Sequence, residues 1–505
     1  GARGVWRWRD YPTGGLLVAV VVVSLVHPFV PHSRWLMVHL VLLGALTHSA
    51  MVWSTHFTQA LLKTDPALDD RRRQSRRLAL LAAGVTLVLT GVTLEIWAAA
   101  VTGAVAVVAA VAWHAIALWR RLRASIAGRF RITVHYYLAA AACVPIGATL
   151  GAILARGQDD AWQAKLLVAH TTVLVLGWVG LTAAGTLITL WPTMLRTRLD
   201  AHAERLATQA LPVFAVAIAT TGTAALTGAR AIAVAGLVGY LAAAVWWGRA
   251  LWRPARTRPP AEYSSLAVAF ALGWAVIAIG WIAGTVALRT DWVDIGETYG
   301  VPTALLAAGF APQLLIGALS YLVPSVLGGG SHAVRAAAAW VDRYAVLRLV
   351  LVNGGLALSL LPVPGPVRVL TTSLVLAAYA AFVPLLLLAV RASLRIRAGG
   401  APAPAPPLPT ASPATSPTTP APVTPATPAG PRLTSVWSSG QLVAGFATLA
   451  LAVVAGVLVD PQGAGLVPSG GAVDAQAGVV ATGRTMTVQV QARDMRYVPD
   501  RIDVA

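Results

Sequence analysis

Apolar runs of about 20 residues recur along most of the chain, and they restrict the fold more than any other feature. Of the 505 residues, 57% are hydrophobic and 11% are charged, whereas soluble proteins average about 25% charged residues. A water-soluble fold could not bury that much apolar surface, and a run of this length crosses a bilayer as a helix. The sequence therefore predicts an all-α polytopic membrane bundle.

Thirteen membrane spans are predicted from the apolar runs. The separation of the third span from the fourth depends on one strongly polar residue, Glu95. Twelve spans form the bundle, and the thirteenth follows a proline-rich linker. The predicted spans are 13–30, 33–56, 78–96, 98–119, 132–155, 164–191, 207–227, 229–251, 264–288, 301–327, 345–362, 367–390 and 440–459.

The basic residues between the spans predict the orientation. With a cytoplasmic N-terminus, 28 arginines and lysines fall on the cytoplasmic side and six fall in the outer loops. Cytoplasmic loops of membrane proteins carry this excess, so a multi-pass plasma-membrane protein in contact with the lipid bilayer is predicted. The net charge of +19 is then a topology signal, and no nucleic-acid partner is predicted.

Composition divides the chain into five parts. Residues 1–397 hold the twelve-span membrane domain, and 398–433 form a Pro/Ala/Thr-rich linker that behaves as an extended spacer. Residues 434–460 hold the additional transmembrane helix, and 461–482 form a second linker. Residues 483–505 alternate apolar and polar side chains, as at Met486, Val488 and Val490, which is typical of a half-buried strand. An extracytoplasmic β domain is expected to begin there, and both ends of the sequence are expected to be truncated.

Two histidines within spans are the leading candidates for a site. An ionisable group in a membrane is costly and therefore points to function. His39 and His170 each lie about six residues into spans of the same direction, so both imidazoles are expected at one depth near the outer surface. Paired imidazoles on two helices are what bis-histidine heme b ligation requires. Gly177, seven residues after His170, could clear space for the flat ring, or it could be a small-residue helix contact.

The remaining histidines within or near spans receive other interpretations. His48 lies near mid-membrane and is the main rival metal ligand. His56 and His114 lie near inner helix ends, where snorkelling or helix capping suffices. His135 precedes two tyrosines; it could serve a second site, but the pattern favours an interfacial aromatic belt.

A single cysteine, Cys143, limits the cofactor chemistry. It excludes a disulfide, a C-x-x-C zinc pair and a C-x-x-C-H heme attachment within this sequence. Any heme would therefore be held without thioether links.

Three segments resemble one family: WLMVHLVLLGALTH, HTTVLVLGWVGLTAAGTLITLWPTMLRTR and APQLLIGALSYLVPSVLGGG. The chain resembles an actinobacterial group of membrane proteins, of the multicopper oxidase and copper nitrite reductase kind. In that group a twelve-span domain, similar to heme-copper oxidase subunit I, precedes cupredoxin domains. The tail TVQVQARDMRYVPDRIDV is similar to the first strands of a cupredoxin.

The resemblance implies a function and a set of partners. His39 would match a low-spin heme ligand, and His170 would match the histidine of an H-x-x-L-x-x-x-G-W-x-G run in related heme-binding proteins. The bundle would pass electrons from a membrane or periplasmic donor to copper in the outer domain, whose ligands would lie beyond Ala505. The family's outer domain implies a possible homotrimer.

The sequence also departs from heme-copper oxidases. It contains no His-His pair and no H-x-H motif, so a heme-copper centre for oxygen is not expected. Two other functions stay open. A transporter or permease fits twelve spans, although no repeated halves are visible. A cofactor-free membrane anchor fits the missing oxidase ligands.

Overall fold

A computed structural model describes residues 11–64, 69–125, 130–398, 438–461, 463–466, 491–493 and 496–498. Fourteen helices occur in these ranges. They are α1 Tyr11–Leu25, α2 Ser33–Leu62, α3 Asp70–Thr93, α4 Trp97–Ala124, α5 Arg131–Leu154, α6 Asp160–Met194, α7 Ala203–Thr227, α8 Arg230–Thr257, α9 Tyr263–Leu288, α10 Trp292–Leu327, α11 Gly330–Val341, α12 Ala345–Ser359, α13 Gly365–Ala398 and α14 Ser439–Val459.

The prediction of an all-α polytopic membrane bundle is confirmed. Within the described ranges, eleven helices are long and apolar enough to cross a membrane. Helices α1 and α12 are apolar but have 15 residues each, or about 22 Å, which is less than the hydrocarbon thickness of a bilayer. Each predicted span nevertheless overlaps one described helix. Helix α11 is additional: it turns Ala333, Ala337 and Val341 inward and packs against α13.

Helices α6 and α10 form the centre of the bundle. Of their most apolar 18 residues, 72% and 78% are buried, against 22–50% in the other spans. Helix α14 is the least buried span and packs against α12 and α13. Function in a bundle depends on side chains that face inward, so α6 and α10 are the helices on which a site is best enclosed.

Small residues bring α3 and α4 together. These helices end and begin at Thr93 and Trp97, as predicted around Glu95. A Cβ added at Gly84 would lie 2.9 Å from the Gly103 carbonyl oxygen, and Gly91 packs equally closely on the start of α4. Backbones of membrane helices approach this closely only where side chains are minimal.

Three of the buried helices contain wide turns in which the backbone follows a π-helix. They span Leu40–Leu46 in α2, Thr172–Leu181 in α6 and Leu305–Phe310 in α10. A π-helix bonds residue i to i+5 and is frequent at functional sites. We refer to these three segments as the wide turns.

The basic end of the bundle is the end at which α2, α4, α6 and α8 finish and their arginine-rich connections lie. Arg348 in α12 is only 3% exposed, and its guanidinium carbon lies 3.8 Å from the centre of the Tyr263 ring. Its Nη1 donates to the Val341 carbonyl oxygen. The neighbouring Asp342 carboxylate accepts a hydrogen bond from the Tyr263 backbone N–H. Burial raises the pKa of Asp342 to about 6, although that bond and Arg348 oppose the shift.

Little of the predicted C-terminal β domain lies in the described ranges. Strands β1 Gln491–Arg493 and β2 Arg496–Val498 pair antiparallel, with Ala492 opposite Tyr497. Outside the described ranges lie residues 1–10, most of both predicted linkers, the alternating residues 486–490 and the end of the predicted β domain, 499–505.

Candidate bis-histidine site

The structure brings His39 and His170 together. His39 is the seventh residue of α2 and His170 the eleventh of α6; the wide turn of α2 begins one residue after His39, and that of α6 begins two residues after His170. Their ring centroids lie 6.4 Å apart, and the ring planes are inclined by 33°.

Both imidazoles are held in the same tautomer. His39 Nδ1 lies 2.9 Å from the Trp35 carbonyl oxygen, and His170 Nδ1 lies 2.9 Å from the Gly147 carbonyl oxygen. A carbonyl oxygen can only accept, so Nδ1 carries the proton in both rings and Nε2 keeps its lone pair. Histidines that bind metals are usually oriented by such a bond from the other ring nitrogen.

The tautomer explains why the pair points to a ligand. Two neutral imidazoles with lone pairs on Nε2 cannot hydrogen-bond to each other, because neither offers a proton there. A Lewis acid between them would satisfy both. The Nδ1 bond alone is not diagnostic, since exposed His135 makes the same bond to the Arg131 carbonyl oxygen. The proximity of the two rings is the distinguishing feature.

The separation of the rings suits a single metal between them. A metal–imidazole nitrogen bond is about 2.0–2.1 Å, and roughly 1.1 Å separates a ring nitrogen from the ring centre, so ligation on opposite sides gives a centroid separation of about 6.3 Å. The observed separation is 6.4 Å. Among the described residues, no three His, Cys, Asp or Glu side chains group as metal ligands. Two imidazoles without further protein ligands fit heme iron, because the porphyrin supplies the other four nitrogens.

Neighbouring side chains fix both rings. Trp35, one turn earlier in α2, stacks on His39 with a centroid distance of 4.0 Å. On the other side, α5 presents Gly151 to His170, where a Cβ would lie 2.8 Å from the ring carbon Cε1. His170 therefore lies against bare backbone, and any larger residue at Gly151 would displace it.

A hydrogen-bond chain links the wide turns that follow the two histidines. Trp178 in α6 donates through its indole N–H to the Thr47 hydroxyl oxygen at 3.0 Å. The Thr47 hydroxyl in turn donates to the Leu42 carbonyl oxygen, inside the wide turn of α2. In the wide turn of α6, the Leu176 carbonyl oxygen accepts from the Tyr240 hydroxyl. These contacts fix α2 relative to α6 just beyond the site.

Gly177 lies elsewhere than the sequence suggested. A Cβ there would lie 2.6 Å from Cys143 Sγ and 3.8 Å from Ile218, so this glycine makes room for a cysteine and a neighbouring helix. The predicted common face with His170 assumed an α-helix. The wide turn changes the number of residues per turn, and the seven-residue spacing no longer returns to the same face. The small-residue contact is therefore the better description of Gly177.

His48 belongs to a different part of the bundle. It is buried and lines a cavity with α1, α10 and α13. His39 instead faces α6, so the two histidines of α2 serve different surroundings. No described His, Cys, Asp or Glu side chains complete a metal site with His48.

His114 is buried between helices. The interpretation of His114 as a snorkelling residue is wrong: its side chain is 2% exposed, and its Nε2 lies 2.9 Å from the Ser54 hydroxyl oxygen. Arg77, also buried, lies close enough to act on it electrostatically. The arginine, the histidine and the serine belong to three different spans, so no local sequence pattern indicated that they would meet.

The predicted aromatic belt after His135 is also wrong. Both tyrosines that follow it are buried. The Tyr136 hydroxyl donates to the Ala207 carbonyl oxygen, and the Tyr137 hydroxyl lies 2.9 Å from the Thr186 hydroxyl. His135 itself is exposed, which makes it a useful control residue.

Comparison with known proteins identifies no relative. No protein-family profile matches the chain, and no curated protein matches it. What the chain does must therefore be argued from the geometry of the site.

Proposed function

We propose that the bundle is the membrane part of a copper-dependent oxidoreductase and that it holds heme b between His39 and His170. The observation that carries the proposal is the 6.4 Å separation of two imidazole rings whose Nδ1 protons are both engaged by backbone carbonyl oxygens. Helix packing alone gives no reason for two imidazole rings to lie so close together in a membrane.

The chain's own residues would bind and position the cofactor. His39 and His170 would hold the heme, Trp35 and Gly151 would set the orientations of the two imidazole rings, and the heme would supply one-electron transfer. The bond from Trp178 to α2 would keep the two histidines at a constant separation. Both imidazoles would be committed to the iron, so electron transfer is the function that the site supports best.

The topology supports the direction of transfer. We infer thirteen spans, a cytoplasmic N-terminus and an extracytoplasmic C-terminus from the excess of basic residues on one side. Both histidines would then lie in the outer half of the bilayer, the side that carries the C-terminal domain. Copper ligands in that domain, a nitrite reductase-like or multicopper oxidase-like activity and a homotrimer remain implications of the family resemblance.

A heme titration tests the proposal. The full chain is expressed with heme supplied and purified in detergent, and its absorption and electron paramagnetic resonance spectra are recorded. We expect one low-spin heme b per chain. We expect it to be lost in His39→Ala and in His170→Ala, because each substitution removes one axial ligand. The matched control is His135→Ala, which removes an exposed histidine with the same Nδ1 bond, and it should keep the heme.

Two results would contradict the proposal. One is a parent protein that folds and carries no heme under these conditions. The other is a heme that survives both alanine substitutions with an unchanged low-spin spectrum, since its ligands would then lie elsewhere.

A further inference from the structure

A second site is suggested by a cavity of about 220 Å³ between α1, α2, α10 and α13. Most of its lining consists of leucine, valine and phenylalanine side chains. An engineered apolar cavity of about 150 Å³ binds benzene, so this volume suits one substituted six-membered ring. Gly14 of α1 adds space, since nothing lies within 4 Å of the position that its Cβ would occupy.

One wall of the cavity is polar. Thr13 Oγ1 lies 3.0 Å from Ser49 Oγ, and both hydroxyls are buried. One hydroxyl of the pair donates to the other, which leaves one O–H hydrogen for a further acceptor. The His48 imidazole, next to Ser49 in the sequence, lines the same cavity. These groups together form the polar wall.

The depth of the polar wall limits what can fill the cavity. Ser49 precedes the last residue of α2, Leu62, by 13 residues of regular α-helix, so it lies about 20 Å from that end, and 16 residues separate it from the first residue of α2, Ser33. That is hydrocarbon depth. The head group of a phospholipid stays at the surface, and its acyl chain carries nothing that could hydrogen-bond to a hydroxyl or an imidazole. The occupant must combine an apolar body with oxygen atoms on a ring.

The cavity is accessible from the lipid. Val18 and Leu387, two of its lining residues, are each 43% exposed on the outside of the helices. In a membrane protein this surface faces the acyl chains. A ligand dissolved in the bilayer could therefore reach the polar wall without crossing water, and an apolar tail could extend back between the lipids.

We propose that this cavity binds the ring of a lipid-soluble quinol or quinone and that the polar wall contacts its oxygen atoms. The binding of a quinone in this cavity does not depend on the heme proposal. Only the redox consequence rests on the proposed function, in which a quinol would be the electron donor. His48 lies nine residues after His39 on α2, so the cavity and the proposed heme site share a helix. Oxidation of one quinol to quinone would release two protons to water and two electrons; one heme b per chain, held as proposed above, would accept them one at a time, with copper in the outer domain as the onward acceptor.

The test measures binding before electron transfer. The full chain is reconstituted in phosphatidylcholine nanodiscs and titrated with decylubiquinone, with binding followed by quenching of tryptophan fluorescence, because Trp53 lines the cavity. We expect saturable binding with one ligand per chain. Gly14→Leu, which fills the cavity, should abolish it, and Thr13→Val should weaken it about tenfold. Gly284→Leu, at a glycine that is also free of neighbours within 4 Å, should bind like the parent.

The outcomes separate this inference from the heme proposal. Binding that persists in His39→Ala supports the quinone site whether or not heme is held there. Reduction of heme by decylubiquinol that is lost in Gly14→Leu supports both proposals. Absence of saturable binding, equal binding in Gly14→Leu, or a retained phospholipid that decylubiquinone does not displace would overturn the quinone site.

Discussion

Replacing Gly151 by alanine tests the packing on which the candidate site depends. The added Cβ would lie 2.8 Å from Cε1 and 3.2 Å from Nδ1 of His170. Carbon atoms in contact prefer about 3.5–4.0 Å. The ring must therefore move away from α5 by about 0.7 Å or more, and this movement pulls Nδ1 away from its acceptor on the same helix.

The cost follows from two terms that act in the same direction. The bond from Nδ1 to the Gly147 carbonyl oxygen is 2.9 Å, and a shift of this size lengthens it to about 3.6 Å, where it no longer counts as a hydrogen bond. Its loss costs about 0.5–1.5 kcal/mol, and overpacking adds about 1–3 kcal/mol. The higher helix propensity of alanine stabilises the variant by about 1 kcal/mol and so offsets part of this loss. We expect Gly151→Ala to be less stable by roughly 1–3 kcal/mol.

The assay compares two glycine-to-alanine variants. Gly273 in α9 has no neighbour within 4 Å of its Cβ position, so Gly273→Ala changes helix propensity without overpacking. Thermal unfolding in one detergent should place Gly151→Ala below the parent and Gly273→Ala at or above it. Heme content, measured on the same samples, should fall only in Gly151→Ala. An unfolding midpoint and heme content in Gly151→Ala equal to those of Gly273→Ala would refute the reasoning.

Three other predictions address the rest of the fold. Burial raises the pKa of Asp342 to about 6 from 3.8, so the folded state favours the protonated carboxyl. The stability of the fold is therefore highest below pH 4, and part of it is lost as the pH rises through 6 and the buried carboxyl must ionise. Asp342→Asn, which can still accept from the Tyr263 N–H, should therefore gain at most about 3 kcal/mol above pH 7 and nothing below pH 4, and parallel unfolding curves at pH 4 and 7.5 check the sign. Trp178→Phe removes the bond to Thr47 and should lower stability by about 0.5–1.5 kcal/mol while speeding amide hydrogen exchange in the wide turn of α2; unchanged exchange there would contradict the linking role. Asn353→Leu leaves the buried Trp274 indole N–H without its acceptor and the buried Gln313 Oε1 without its donor and should cost about 1–3 kcal/mol in the same unfolding assay, a loss that a folded, equally stable variant would disprove.

The helical architecture was predictable because the sequence encodes it locally. An apolar run either can or cannot cross a bilayer, and this depends on its own residues. The separation of α3 from α4 was also correct, because Glu95 is costly within hydrocarbon. Equal depth of His39 and His170 followed from counting residues along two spans of the same direction, and the structure adds that their helices are neighbours.

The features that depend on contacts between spans were not predictable in this way. A π-helical turn arises from packing and has no residue signature in this chain, so the face of Gly177 was predicted on the wrong period. His114 and Tyr136 have partners 60 and 71 residues away in the sequence, and nothing near them indicates which helix they meet. The fold class is therefore a local property of this sequence, whereas the surroundings of each polar side chain are not.

The wide turns also limit how this protein could change in length. Each one accommodates an extra residue within an otherwise regular helix, so a single-residue deletion inside Leu40–Leu46 would convert the segment to ordinary α-helix. The helical segments on either side would keep their relative orientation, because the residue lost is the one that the wide turn absorbs. The same deletion in a regular stretch of α2, such as Thr47–Leu62, would instead rotate everything beyond it by about 100° relative to His39. A one-residue loss is therefore tolerated by the packing of α2 at the wide turn and not elsewhere in the span.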